Sequence, residues 1–173
     1  SKGSGIHIID DKKYKVEPPC LFFLSPGQAH QLELSKDIGG YIFLFTSEFY
    51  LLNKSNKNRL LELPFFFNIN QENPPLHIEE KERFVSQLFD NACIEMQSED
   101  IKAEQIILST LDLILATSDQ EYQGKEDQEV KGKGHLLVKK FRQTLEEKYQ
   151  QFHNINEYAD LLNVTANHLT QTI

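Results

Sequence analysis

No stretch of this 173-residue sequence approaches the roughly 18 consecutive apolar residues that a membrane-crossing helix needs. The opening residues, SKGSGIHIID, lack the charged-then-apolar pattern of a secretory leader. No initiator Met precedes them, so the chain is read as a fragment. Cys20 and Cys93, its two cysteines, lie far apart and match no metal or redox spacing. They are expected to be buried thiols in a reducing cytoplasm. The sequence contains no G-x-S-x-G, no glycine-rich phosphate loop, no paired acid–base motif and no internal repeat. No catalytic residue is therefore assigned, and the charge clusters at Glu79–Arg83 and Lys125–Lys133 are taken as solvated faces and linker.

Basic charge is also short. Eighteen Lys and Arg stand against 26 Asp and Glu, a net charge of −8 that argues at first against nucleic acid. The distribution changes that reading. Residues 1–130 carry a net −10, whereas residues 131–173 carry 6 basic and 4 acidic side chains. An acidic body with a mildly basic tail suits a two-part molecule whose tail can approach phosphates. Hydrophobic residues make up 39% of the chain, with 12 Phe and 6 Tyr, enough for a substantial core.

Three zones follow along the chain. In the first, GIHII, YKVE and AHQLEL alternate with period two, CLFFLSPG is a short apolar run closed by Pro-Gly, and YIFLF is apolar on both faces. LPFFFNI reads as a further strand, and a small helix capped by Thr46 or Ser47 precedes it, with Glu48 in its first turn. Short strands at this spacing predict a β-sandwich or barrel over residues 1–76. His30 and Leu32 on one strand, with Tyr41 and Phe43 on the next, are expected to line its interior as ligand-binding residues.

Residues 77–117 form the second zone. Phe84, Val85, Leu88, Phe89, Ala92 and Met96 recur at helical spacing, as do Ile101, Ile107, Leu108, Leu111, Ile114 and Leu115. A helical hairpin is predicted, with Leu88, Leu108, Leu111 and Leu115 available to join two copies. The third zone begins with a charged, glycine-bearing linker over 118–134. Leu137, Phe141, Leu145 and Tyr149, four apart, then mark an amphipathic helix within 135–173. The closing stretch NINEYADLLNVTANHLTQTI predicts two short helices. Asn154 or Asn156 would cap the first and Thr165 the second, with Asn163 in a turn that needs a positive φ. Asn167, His168, Thr170 and Gln171 share the polar face, of the residue types that read base edges in a major groove.

SPGQAH (Ser25–His30) resembles the second conserved motif of cupin barrels. Its His30 has only His7 on the preceding strand for company, and two histidines fall short of the three protein ligands a catalytic metal usually takes. Neither metal nor cofactor is assigned. The order of parts resembles the AraC family of bacterial transcription regulators. GIHIIDDKKYKVEPPCLFFLSPGQAHQLEL and GYIFLFTSEF look like its cupin sensor, and INEYADLLNVTANHLTQTI like its first helix-turn-helix. The resemblance implies an α+β protein: a cupin-like β-barrel with a helical dimerisation hairpin, then a partial all-α DNA-binding domain. Base contacts would fall on Asn167, Thr170 and Gln171, and their hydrophobic support on Ile155, Ala159, Leu162, Val164 and Leu169. A second helix-turn-helix is expected beyond Ile173 and further strands before Ser1, so this chain should bind DNA poorly on its own. The expected function is a cytoplasmic, effector-responsive, homodimeric DNA-binding regulator. A metal-dependent cupin enzyme and a dimerisation module without ligand are the alternatives.

Overall fold

The alternating segments become strands. In the computed structural model, which describes residues 3–67, 74–123 and 133–173, β1 (Gly5–Ile9) and β2 (Lys12–Val16) form an antiparallel hairpin. Asp10 closes it with a left-handed backbone (φ 55°), which its short polar side chain tolerates. β3 (Cys20–Leu21) is brief, and β4 (His30–Leu34) returns along the other side of β1, giving the order β2-β1-β4. Register sets His7 opposite Leu32 and Ile9 opposite His30. His7 and Ile9 are buried, while Ile6 faces outward.

Thr46 caps α1 (Ser47–Leu51) by accepting from the Phe49 N–H. α2 (Arg59–Glu62) follows, and β5 (Leu76–His77) pairs antiparallel with β3. After one 3-10 turn at Glu79–Lys81 come α3 (Glu82–Glu95) and α4 (Ala103–Gln123), packed as a hairpin. α5 (Lys133–Lys148), α6 (Ile155–Leu161) and α7 (Ala166–Thr172) complete the order. The architecture is α+β, and among the described residues the strands make one three-stranded and one two-stranded sheet.

Several expectations give way here. Tyr41–Phe45 has no ladder pairing, and Leu63–Phe67 folds as turns rather than a strand. In the latter, Leu63, Phe65, Phe66 and Phe67 are all buried, and Phe67 is left-handed at φ 51°. An apolar run with no polar face carries no period, so local pattern cannot tell a strand from a packed turn. Asn68 and Ile69 of that motif lie outside the described residues. α4 extends to Gln123, into the segment read as linker. The remainder, 124–132, is outside the described residues.

The four leucines expected at a dimer interface lie inside the chain. Leu108, Leu111 and Leu115 join Tyr50, Leu60, Leu61, Leu63 and Phe65–Phe67 in the main core, and Leu88 is buried on α3. The turn-forming phenylalanines need apolar cover, and α4 supplies it. What α3 and α4 leave exposed is Phe84, Ile94, Ile106 and Leu113, along with Met96 at the end of α3. Ile101, counted in the second stripe, is exposed ahead of α4. Cys93 is exposed and Cys20 half-buried, so the thiols are not both in the core.

α6 and α7 have their own core of Tyr158, Ala159 and Leu169, packed by Leu137, Phe141, Ile155, Leu162 and Val164. Asn154 builds a capping box with Glu157. The backbone N–H groups of His153 and Asn154 donate to the Glu157 carboxylate (2.9 and 3.0 Å) and hold it below its ordinary range. Thr165 caps α7 and Asn163 takes φ 56°. Leu145 and Tyr149, expected on the buried stripe of α5, are exposed. A spacing of four drifts about 40° per step on an α-helix, so a long run of it leaves the face it began on.

Candidate functional site

The turn SPGQAH positions one wall of a cavity. Asp10 accepts from Ala29 N (3.1 Å) and from Gln28 Nε2 (3.2 Å), and its own N–H donates to Ala29 O (2.7 Å). Gly27 turns the loop at φ 83°. Ser25 Oγ accepts from the Phe67 N–H at 2.7 Å, tying this loop to the buried phenylalanine turn. His30 therefore leaves the loop in fixed register with β1.

The cavity has a volume of about 580 Å³, within the range of small-molecule sites. His30, Leu32, Tyr41 and Phe43 all line it. Leu32 and Tyr41 are 41% and 50% exposed, so they form an open margin instead of an enclosed interior. Ile42 (77%) and Leu44 (88%) also line the cavity and are more exposed than Tyr41, Phe43 and Phe45. Side chains, not a strand ladder, hold this segment. The Tyr41 ring stacks on Phe89 at 5.5 Å, and its hydroxyl donates to the Asp90 carboxylate. That bond raises the phenol's pKa. Phe22, Phe23, Phe45, Phe66 and Phe67 give the wall an aromatic character.

The sequence pattern offers His7 only as a metal ligand without partners. Its Nε2 lies 3.3 Å from Nδ1 of His30, and its ring meets Phe22 edge-on at 4.7 Å. Burial, reinforced by the neighbouring His30, lowers its pKa below the ordinary 6.5. It is therefore neutral at physiological pH. No group of three or more His, Cys, Asp or Glu side chains placed to hold a metal ion occurs among the described residues.

A second functional residue had no sequence signal. Lys139, one basic residue among six in the tail, is 1% exposed and donates from Nζ to the carbonyl of Leu63 at 2.7 Å. Leu136 packs on the main core beside it, and the Glu146 side chain closes over Gly27 so tightly that a Cβ there would clash with its carboxylate. α5 is thus seated on the two segments, 25–28 and 60–67, that also form cavity wall through Pro26, Leu60, Phe66 and Phe67.

Asn167, Thr170 and Gln171 are exposed on α7. The Thr170 hydroxyl donates to Ala166 O at 2.8 Å, so its proton is committed to the backbone. The Asn167 and Gln171 amides have no partner among the described residues.

Among the described residues no helix is long and apolar enough to cross a membrane. The family model described as the AraC-like ligand binding domain matches residues 1–112. That span holds all of the cavity lining except Ile114 and Leu115 and ends within α4, before α5–α7. No curated protein and no solved structure matches the chain.

Proposed function

This chain belongs to the AraC-like ligand binding domain family, and from that premise we propose an effector-responsive, DNA-binding transcription regulator of the cytoplasm. A small molecule enters the cavity between β1, β4 and the phenylalanine turn. The α6–α7 unit presents Asn167, Thr170 and Gln171 to a major groove. Two copies associate through the faces of α3 and α4 that keep Phe84, Ile106 and Leu113 exposed.

One observation carries this reading: α5 bridges the cavity and the α6–α7 unit. Lys139 and Leu136 sit on the cavity's phenylalanine turn, while Leu137 and Phe141 of the same helix pack on Tyr158 and Leu169. A ligand that displaces Leu60, Phe66 or Phe67 moves the carbonyl that holds Lys139. It then shifts the balance between seated and released α5, to the extent that it binds the two states unequally.

The test is DNA selection with the full-length protein from a random duplex pool, followed by titration at two salt concentrations. Sequence-specific, salt-sensitive binding is expected. Asn167→Ala or Gln171→Ala should weaken it by about 1–3 kcal/mol and relax base preference. Uniform binding to all duplexes, or no effect of either substitution, would refute the assignment of α7. The rival reading, a dimerisation module without ligand, requires a cavity that stays closed to every small molecule.

A further inference from the structure

The cavity holds a polar device that the α5 seat does not use. His7 is 3% exposed, and its Nδ1 has no hydrogen-bond partner among the described residues. His30 lines the cavity margin, and its Nε2 likewise has none. A neutral imidazole offers one donor and one acceptor. The 3.3 Å contact between His7 Nε2 and His30 Nδ1 therefore couples the two rings. If His7 donates, His30 Nε2–H points outward as a donor and His7 Nδ1 is left as an acceptor. If His30 donates, the polarity reverses. In both arrangements the pair ends in one donor and one acceptor, unmatched within the chain. Buried polar atoms are ordinarily satisfied, so the unmatched His7 Nδ1 is an exception that asks for a reason, and the His30 end of the pair opens on the cavity margin where a ligand can reach it.

The rest of the wall narrows the chemistry. Phe22, Phe43, Phe66 and Phe67 are among its lining, and the Tyr41 hydroxyl is already committed to Asp90. Glu48, the one carboxylate in the lining among the described residues, is exposed to water, where its field is screened. A sugar would bury many hydroxyls against hydrocarbon that cannot pair with them. A metal would find two nitrogens where about three or four ligands are needed.

Resting on the reading of this cavity as an effector site, we propose that it takes a multi-ring aromatic molecule with one oxygen head group. The head, an aryl carboxylate or a phenol, is seated on the His7–His30 pair and the rings lie against the phenylalanines. A carboxylate oxygen accepts from His30 Nε2–H when His7 donates to His30. A phenol fits either polarity, because its hydroxyl both donates and accepts.

Calorimetric titration of the chain with biphenylcarboxylate, phenylphenol, biphenylmethylamine and glucose tests this. The acid and the phenol should bind and glucose should be silent, and the amine, a donor only, should bind less tightly than the phenol, which suits both polarities. His30→Phe should lower the unfolding temperature, because it takes the partner from the buried His7 Nε2, yet keep a cooperative transition, and should weaken the acid about tenfold or more, the range expected for a hydrogen bond to a charged group. In wild type the imidazole resonances of both histidines should shift when the acid is added. An amine that binds as tightly as the phenol, glucose binding, or an unchanged affinity in His30→Phe overturns the head-group assignment alone. If none of the aromatic probes binds, the effector-site reading fails with it.

Discussion

Replacing Lys139 by Met probes the α5 seat directly. Met keeps the length and apolar stem of the side chain and removes its charge and its donor. A hydrogen bond from a charged group contributes roughly 1.5–3 kcal/mol, and its loss here leaves the Leu63 carbonyl without that donor. The desolvation of the ammonium, which the variant no longer incurs, offsets part of that loss. Neither half depends on this bond for its own core. Leu63 stays among the phenylalanines, and Leu137 and Phe141 stay on Tyr158. The net loss therefore falls on docking, by about 1–2 kcal/mol, which is roughly a 5- to 30-fold change in an opening equilibrium. Native-state amide exchange reads this locally. Amides of Leu63–Phe67 and of the seated face of α5 should exchange faster by about that factor, with those of β1 and α4 unchanged. Unaltered exchange at Leu63–Phe67 would show that the seat does not rest on Lys139. Acceleration spread evenly over the chain would show that the two halves do not separate.

Leu169→Ala removes a fully buried side chain from the small α6–α7 core and should cost about 2–5 kcal/mol. NMR dispersion of α6 and α7 should collapse while that of the β1–β4 sheet persists; loss of both together would contradict separate cores. His7 sets a pH dependence. Its pKa is lowered on folding, so the unfolded chain binds the proton more readily. The associated stability is intact above about 6.5 and lost as pH falls through the lowered folded value. Thermal melts across that window should show a slope that His7→Phe reduces, and an identical slope in the variant would rule the assignment out. On α4, Leu113→Glu at a half-exposed position should leave the fold intact and convert a dimer to monomer in sedimentation. Leu111→Glu, at 2% exposure, should unfold the chain. A dimer that survives Leu113→Glu would place the interface elsewhere.

What the sequence determines by itself is local. The caps at Thr46, Asn154 and Thr165, the positive φ of Asn163, and the pairing face of GIHII depend on residues within about one turn or one pleat of each other. Such features follow from propensity and period alone. Alternation does not single out His30, Leu32, Tyr41 and Phe43, because β4 is exposed along its length and Ile42 and Leu44 line the cavity beside Tyr41 and Phe43. Tertiary structure decides the rest. LPFFF has no polar face to give its direction, so only its packing under α4 made it a turn, and that packing took Leu108, Leu111 and Leu115 away from the surface. The His7–His30 contact joins residues 23 apart, and the bond from Lys139 to Leu63 spans 76. At those separations no periodicity links the partners. A lysine in an amphipathic helix looks the same in sequence whether water or a buried carbonyl receives it, and only the fold supplies the carbonyl.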